Sequence, residues 1–330
     1  MKKSDECFSS VKTCLLIHDN NKLGDLIVLS SLYRELEVRG IKLSILTSEA
    51  GKEFLTGNPK IHRFFIKKSN RFNDIMALAS ELRACHFDMV LDPFETMPSF
   101  HHSLVLFTIN TKFILGFDKW YKRYYTYYHP HDENLESHMC TRAYEILSFM
   151  FGKMEKDFNI NYDLPLPTKI ENDILEFIGN SNVIIINALG AKKICRLTRE
   201  QIELIYYHVR EVLPEYRVIF TGLPSDLKTI TVPDIEKLPF NSFMHTVALT
   251  KFSRYVITVD TALVHIASAY KIATLALYPH AQHPSYPSHL IWSPNNTNAL
   301  QVVSSTSSVK DIESSVIINS LNILFNQKWA

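Results

Sequence analysis

Residues 254–279, RYVITVDTALVHIASAYKIATLALYP, constrain the fold more than any other stretch of the chain. Residues 255–259 are a β-branched and aromatic run, long enough for a buried strand. Asp260 and Thr261 follow at once, with Thr261 placed to cap a helix. Leu263, Ile266 and Ala267 then share one helical face, and residues 274–277 give the next apolar run before Pro279 stops it. Strand, turn, helix and strand make a parallel β-α-β unit. Its turn lies at the carboxyl end of a strand, where ligands bind in open α/β sheets. Free N–H groups at the start of the helix favour an anion there. Taken alone, Asp260 and Thr261 fit a capped helix without ligand equally well. His265 follows Thr261 by one helical turn and puts a polar ring on the same face.

The same alternation runs through the chain. In the first half, strands are expected over 14–18, 42–47, 61–66, 88–91 and 112–115. Helices are expected over 26–40, 49–55, 72–85, 97–108 and 136–150. Leu26, Leu29, Leu32, Tyr33 and Leu36 mark the buried face of the first helix, and Gly40 is its C-cap. Residues 161–168, NYDLPLPT, read as a linker. The second half repeats the pattern, with strands over 183–187, 217–221, 255–259, 274–277 and 301–304. Its helices fall over 198–213, 241–250 and 310–325, the last closing the chain. The length of 330 residues suits two domains, placed at 1–165 and 166–330. Alternating strands and helices imply an α/β fold with parallel, doubly wound sheets. Two such halves facing each other would leave a cleft for ligand.

Two carboxylates are expected at strand ends, one per half: Asp25 and Asp260. Asp25 stands in Lys22-Leu23-Gly24-Asp25-Leu26, where Gly24 allows a tight turn and close approach of a ligand. A carboxylate opening a helix is kept ionised by the dipole and can take a proton from an attacking hydroxyl. Simple helix capping explains it as well. After the strand at 183–187 comes the loop ALGAKKICRLT, with Gly190, Lys192, Lys193 and Arg196. A departing nucleoside diphosphate needs its charge neutralised, and lysines, an arginine and a helix N-terminus can do this.

Residues 117–132, FDKWYKRYYTYYHPHD, hold six Tyr or Trp and three Lys or Arg without periodicity. They fit a surface loop whose rings pack on the domain. They also fit a lip for an amphiphilic or anionic acceptor, with Trp120, Tyr121, Lys122, Arg123 and Tyr124 as its contacts.

Several classes are disfavoured. The net charge of +1 gives no global pull toward nucleic acid. The five cysteines include no C-x-x-C pair, so a reducing cytosol is expected. The start, MKKSDECFSS, lacks the apolar region of a signal peptide, and no apolar run reaches the roughly 20 residues of a membrane span. His129 with His131, and His280 with His283 and His289, lack an acidic partner at ligand spacing, so no metal is expected. No G-x-G-x-x-G follows the first strand and no G-x-S-x-G occurs, which sets aside a standard dinucleotide site and a serine hydrolase.

These residues, in this order, resemble glycosyltransferase family 9, the ADP-heptose:lipopolysaccharide heptosyltransferases. The resemblance rests on Leu23-Gly24-Asp25, on the basic loop from Gly190 to Leu197, and on Asp260-Thr261-Ala262-Leu263-Val264-His265. Ala262 stands where the family has Gly, and the middle motif reads KKICRL in place of Lys-x-Trp-Pro. The resemblance implies a GT-B fold of two Rossmann-like domains and an inverting, metal-independent transfer with no cofactor. It implies Asp25 as general base and Gly24 beside the acceptor. Lys193 or Lys192, with Arg196, would hold the diphosphate. Thr261 and the N–H groups of Ala262 and Leu263 would cradle phosphate, Asp260 would touch the donor sugar, and His265 would support that loop. Thr221 and Gly222 would lie near the ribose and base. The expected partners are ADP-heptose, a lipopolysaccharide-precursor acceptor and the inner-leaflet surface, with the protein cytoplasmic and peripheral to the membrane. Two alternatives stay open: a GT-B transferase, epimerase or hydrolase with another nucleotide sugar, and a non-catalytic two-lobed solute-binding protein.

Overall fold

The computed structural model describes residues 8–93, 99–116, 123–128, 136–152, 161–280 and 287–329. The chain divides into two compact units, Met1–Asp163 and Leu164–Ala330.

In the first unit, β1 (Thr13–Ile17) leads into α1 (Leu23–Val28) and α2 (Ser30–Val38). Then come β2 (Lys42–Thr47), α3 (Glu49–Leu55), β3 (Ile61–Ile66), α4 (Phe72–Ala84), β4 (Met89–Asp92) and α5 (Phe100–Thr108). β5 (Phe113–Gly116), β6 (Tyr127–Tyr128) and α6 (Met139–Phe151) complete it. The described strands form one parallel sheet in the order β3-β2-β1-β4-β5-β6. β1 is central and almost wholly buried, which is why it reads as an unbroken apolar run rather than an alternating one. Leu15, Ile17, Phe65, Val90 and Val105 form part of the core under one face.

The second unit holds α7 (Thr168–Ile178), β7 (Val183–Asn187), α8 (Arg199–Val212), β8 (Arg217–Phe220), α9 (Pro224–Leu227), β9 (Glu236–Lys237) and α10 (Phe243–Lys251). It continues with β10 (Tyr255–Val259), α11 (Ala262–Ala269), β11 (Ala273–Tyr278), α12 (Ser288–Ile291), β12 (Ala299–Val303) and α13 (Ser314–Asn326). Its parallel sheet has the order β12-β11-β10-β7-β8-β9. Counted from its own first strand this is again 3-2-1-4-5-6, the doubly wound dinucleotide-type order. Each sheet therefore reverses its winding once, between β1 and β4 and between β7 and β10. The two sheets make this an α/β protein of the GT-B type, with a Rossmann-like layout in each unit.

Three expectations need correction. The helix expected over 26–40 is two helices meeting at Leu29, where a tighter bond from Leu32 N–H to Leu29 O replaces the α pattern. Its end is as expected: Gly40 (φ 69°) and Ile41 return N–H bonds to Glu37 and Leu36. Second, part of the aromatic segment is sheet and core rather than lip. Tyr127 and Tyr128 pair with Leu115 and Gly116, Tyr127 stacks on Phe149 at 3.5 Å, and Tyr125 is buried. Third, α7 starts at the end of the stretch read as linker, burying Ile174 and Ile178. Pro165 and Pro167 masked that start, although Pro167 is well suited to stand just before a helix.

Candidate active site

In the first unit, Asp25 lies in the first turn of α1, just beyond the carboxyl end of β1 and beside the switch point of the sheet. It is buried, at 8% exposure. Gly24 is inside α1, so it serves by lacking a side chain and not by making a tight turn. The N-cap of α1 is Lys22, which makes no side-chain capping bond. The turn from His18 is held by His18 N–H to Leu46 O at 2.7 Å and by Lys22 N–H to the Asn20 side chain at 2.9 Å.

A charged network with no counterpart in the motif reading lies along the same sheet edge. Lys67, next after β3, donates from Nζ to Asp19 Oδ2 at 2.7 Å. His102, in the first turn of α5, sits between two carboxylates, with Nε2 2.9 Å from Asp92 Oδ2 and Nδ1 3.9 Å from Asp19 Oδ2. Asp92 ends β4, and Tyr125 O–H donates to its Oδ2 at 2.5 Å. Burial alone would discharge His102. The Asp92 charge and the contacts with both carboxylates overcome it and push its pKa up to about 9. Burial would likewise raise Asp19, but His102 and Lys67 together hold it well below the usual carboxylate range. His18 goes the other way: burial pushes it down to about 4, so it is neutral.

In the second unit the expected groups converge. Asp260 follows β10, and its N–H bonds Leu277 O at 3.0 Å. Thr261 is extended (φ −147°, ψ 172°), caps α11, and accepts from Leu263 N–H at 3.3 Å. Its hydroxyl also meets that of Thr258 at 3.1 Å. Ala262 is the first residue of α11 and Leu263 is buried behind it. His265, also buried, sets its ring edge-on to Trp292 at 6.1 Å.

The loop after β7 folds back on itself against this turn. Gly190 N–H bonds Cys195 O at 2.7 Å, and Leu197 N–H bonds Ala188 O at 3.0 Å. A Cβ on Gly190 would stand 2.7 Å from both Cys195 Cβ and Cys195 O, and 3.4 Å from Asp260 O, so only glycine fits. Cys195 Sγ is 3.9 Å from Asp260 Oδ2. Burial, with the Asp260 charge adding, pushes this thiol up to about 12, so it stays protonated and faces the carboxylate as a donor. Thr198 and Gln201 form a capping box that starts α8 where the loop ends.

The three cations of the loop divide into two kinds. Lys192 and Lys193 are exposed. Arg196 donates from Nε to Gly190 O at 2.8 Å and pairs through Nη2 with Asp226 at 3.0 Å. Arg196 therefore clamps the loop to α9.

Thr221 follows β8 and is 2% exposed; Gly222 has φ 155°, a backbone that side-chain-bearing residues rarely adopt. Thr221 Oγ1 and Asn187 Oδ1, on neighbouring strands, are buried without a hydrogen-bond partner among the described residues. Of the expected acceptor contacts, Trp120, Tyr121 and Lys122 lie outside the described residues. Arg123 is exposed, and Tyr124 packs on the core of its unit. Among the described residues no group of three or more His, Cys, Asp or Glu is placed to hold a metal ion, and no helix is long and apolar enough to cross a membrane.

Motif reading missed Asp19, Lys67, Asp92, His102, Tyr125 and Asn187. Four of these six end a strand or follow one within two residues, and that placement is the signal that could have found them.

No protein-family model matches the chain. An Escherichia coli (strain K12) protein with the provisional name lipopolysaccharide heptosyltransferase 4 is 58% identical over 316 residues, covering 96% of this chain and 88% of that protein. The chain belongs to glycosyltransferase family 9, the lipopolysaccharide heptosyltransferases. It is thus a glycosyltransferase. Solved members of the family share its fold at low identity. The family 9 glycosyl transferase from Veillonella parvula DSM 2008 superposes with a TM-score of 0.76 at 16% identity, covering 96% of this chain and 98% of that one. The E. coli ADP-heptose lps heptosyltransferase II gives 0.73 at 14%, covering 95% and 98%.

Proposed function

We propose that this glycosyltransferase moves heptose from ADP-heptose to the inner core of lipopolysaccharide, with inversion at the anomeric carbon and Asp25 as general base. The observation that carries the reading is the donor turn of the second unit. There, Asp260, the capped N-terminus of α11 and the Lys192–Lys193 loop meet in one place at the sheet's switch point. A helix N-terminus with two exposed ammonium groups beside it is suited to a diphosphate.

In this reading Thr261 and the N–H groups of Ala262 and Leu263 cradle the phosphates. Lys192 and Lys193 neutralise them, and no metal or other cofactor takes part. Arg196 serves the donor by holding the loop in place. Asp260 contacts the donor sugar, His265 supports the turn, and Thr221 with Gly222 borders the ribose and base. The unanswered oxygens of Asn187 and Thr221 suit ribose hydroxyls. In the first unit Asp25, beside Gly24, takes the proton of the acceptor hydroxyl as its oxygen attacks the anomeric carbon. The bond from that carbon to the phosphate oxygen breaks, and ADP leaves with the electron pair.

The acceptor is a lipopolysaccharide precursor. Trp120, Tyr121, Lys122 and Arg123 are its proposed contacts, with Tyr124 behind them. The protein works in the cytoplasm, at the inner face of the membrane. Phe72 (59% exposed), Phe100 (71%) and Phe107 (75%) on α4 and α5 support attachment to a lipid surface.

The test uses ADP-heptose and lipopolysaccharide from a strain lacking this protein. One heptose should be added, with ADP released and the anomeric configuration inverted, equally in EDTA. Transfer from UDP- or GDP-sugars in preference to ADP-heptose would change the donor. Nucleotide-sugar breakdown without acceptor would favour a hydrolase.

A further inference from the structure

The charged network of the first unit has no role in the proposed reaction. It draws on four strands of one sheet. Asp19 follows β1, Lys67 follows β3, Asp92 ends β4, and Tyr125 stands two residues before β6. His102 lies at the centre and comes from a helix. Its own N–H is fixed by the Ser99 hydroxyl at 3.2 Å. The Asp92 side chain is 0% exposed and His102 10%, whereas Asp19 and Lys67 keep 18% and 16%. The network is therefore anchored deep at Asp92 and reaches outward to the turn that carries Asp25.

α1 has six residues and no side-chain cap, and its first turn is held locally by the Asn20 side chain and by backbone bonds. Asp19 stands six residues before Asp25, at the start of the same turn. Both of its charged contacts, Lys67 and His102, converge on a single oxygen, Oδ2, from opposite directions along the sheet edge.

We propose that His102, held between Asp19 and Asp92, is a positioning residue that fixes the β1–α1 turn and so sets the orientation of the Asp25 carboxylate. The proposal rests on the reading of Asp25 as the general base. A base displaced by about an ångström loses much of its effect without any loss of donor binding, which involves the other unit. The imidazolium is needed because it donates to Asp92 at 2.9 Å and keeps its charge 3.9 Å from Asp19. A neutral amide in its place can hydrogen-bond to Asp92 but brings no positive charge between the two carboxylates.

The experiment uses the full chain with ADP-heptose and lipopolysaccharide from a strain lacking the protein. His102→Gln, Asp25→Asn and their double variant are compared. Asp92→Asn with His102→Gln is added because it removes the carboxylate charge that His102 balances and protects folding. Expected is a fall of at least tenfold in kcat for His102→Gln and for Asp92→Asn/His102→Gln. The KM for ADP-heptose stays within twofold, and thermal melting of the second variant is close to wild type. His102→Gln should slow the residual rate of Asp25→Asn no further, because it acts through Asp25; a role confined to folding would cost the same factor in both backgrounds. Wild-type kcat in His102→Gln, with Asp25→Asn inactive, overturns the positioning role and leaves the base reading standing. Full activity of Asp25→Asn overturns the base reading, and this inference with it.

Discussion

Asp25 and Asp260 each follow a strand near the point where the winding of their sheet reverses, yet the two turns are fastened by different means. The Asp260 turn is held locally. Thr261 caps its own helix, Thr258 steadies Thr261, and Cys195 reaches the carboxylate from a loop that folds back on itself. The Asp25 turn has no side-chain cap on its helix; beside backbone bonds and the Asn20 side chain, it has charges from β3, β4 and α5 gathered at Asp19. In the proposed reading, hydroxyls and a protonated thiol steady the Asp260 turn and leave the exposed lysines beside it to a diphosphate. A proton-accepting carboxylate can instead be braced by an ion network whose charges cancel.

The comparison can be broken by removing each fastening in turn. The largest effect is expected from His102→Ala, which takes the imidazolium away from both carboxylates and leaves Asp19 with Lys67 and Asp92 with the Tyr125 hydroxyl. Breaking a buried ion pair costs about 3–5 kcal/mol, or roughly 6–20 °C of melting temperature for a domain of this size, read by thermal denaturation. The pH dependence shares this cause. Its carboxylate neighbours push His102 from an ordinary 6.5 up to about 9 in the folded chain. A raised folded pKa means that its contribution is complete below pH 6.5 and is lost as pH rises through 9. Melting temperature should therefore decline across that range in the wild type and stay flatter in His102→Gln.

Next in size is the donor side. Lys192→Ala/Lys193→Ala should weaken ADP binding about tenfold to a hundredfold, at about 1.5–3 kcal/mol for charged hydrogen bonds, read by calorimetry. Unchanged affinity would remove these lysines from the donor site. A smaller effect is expected for Thr261→Ala, about 1 kcal/mol from the lost cap. The smallest concerns the missing cap itself. Lys22 has an extended backbone that suits a capping side chain, so Lys22→Ser should raise stability by about 0.5–1 kcal/mol.

The same contrast decides what the sequence discloses. Asp260, Thr261 and His265 lie within six residues, so a local pattern draws attention to this turn. The strands were readable because parallel strands buried on both faces are continuous apolar runs, as in Val183–Asn187. The brace around Asp25 joins Asp19 to Tyr125 across most of a domain, and no local pattern announces it. β6 escaped because it is only two residues, Tyr127 and Tyr128, too short to show a period, and α7 because the prolines just before it suggest a linker. Arg196 shows a further limit. Its charge suggests a phosphate contact, and nothing in the sequence shows that it also pairs with Asp226, thirty residues away.

The most direct test of the account compares Asp25→Asn with wild type for ADP binding by calorimetry and for heptose transfer on the same preparation. The account predicts unchanged ADP affinity and a loss of transfer of about 10²–10⁴-fold, the range for removal of a general base. Undiminished transfer in Asp25→Asn would contradict it.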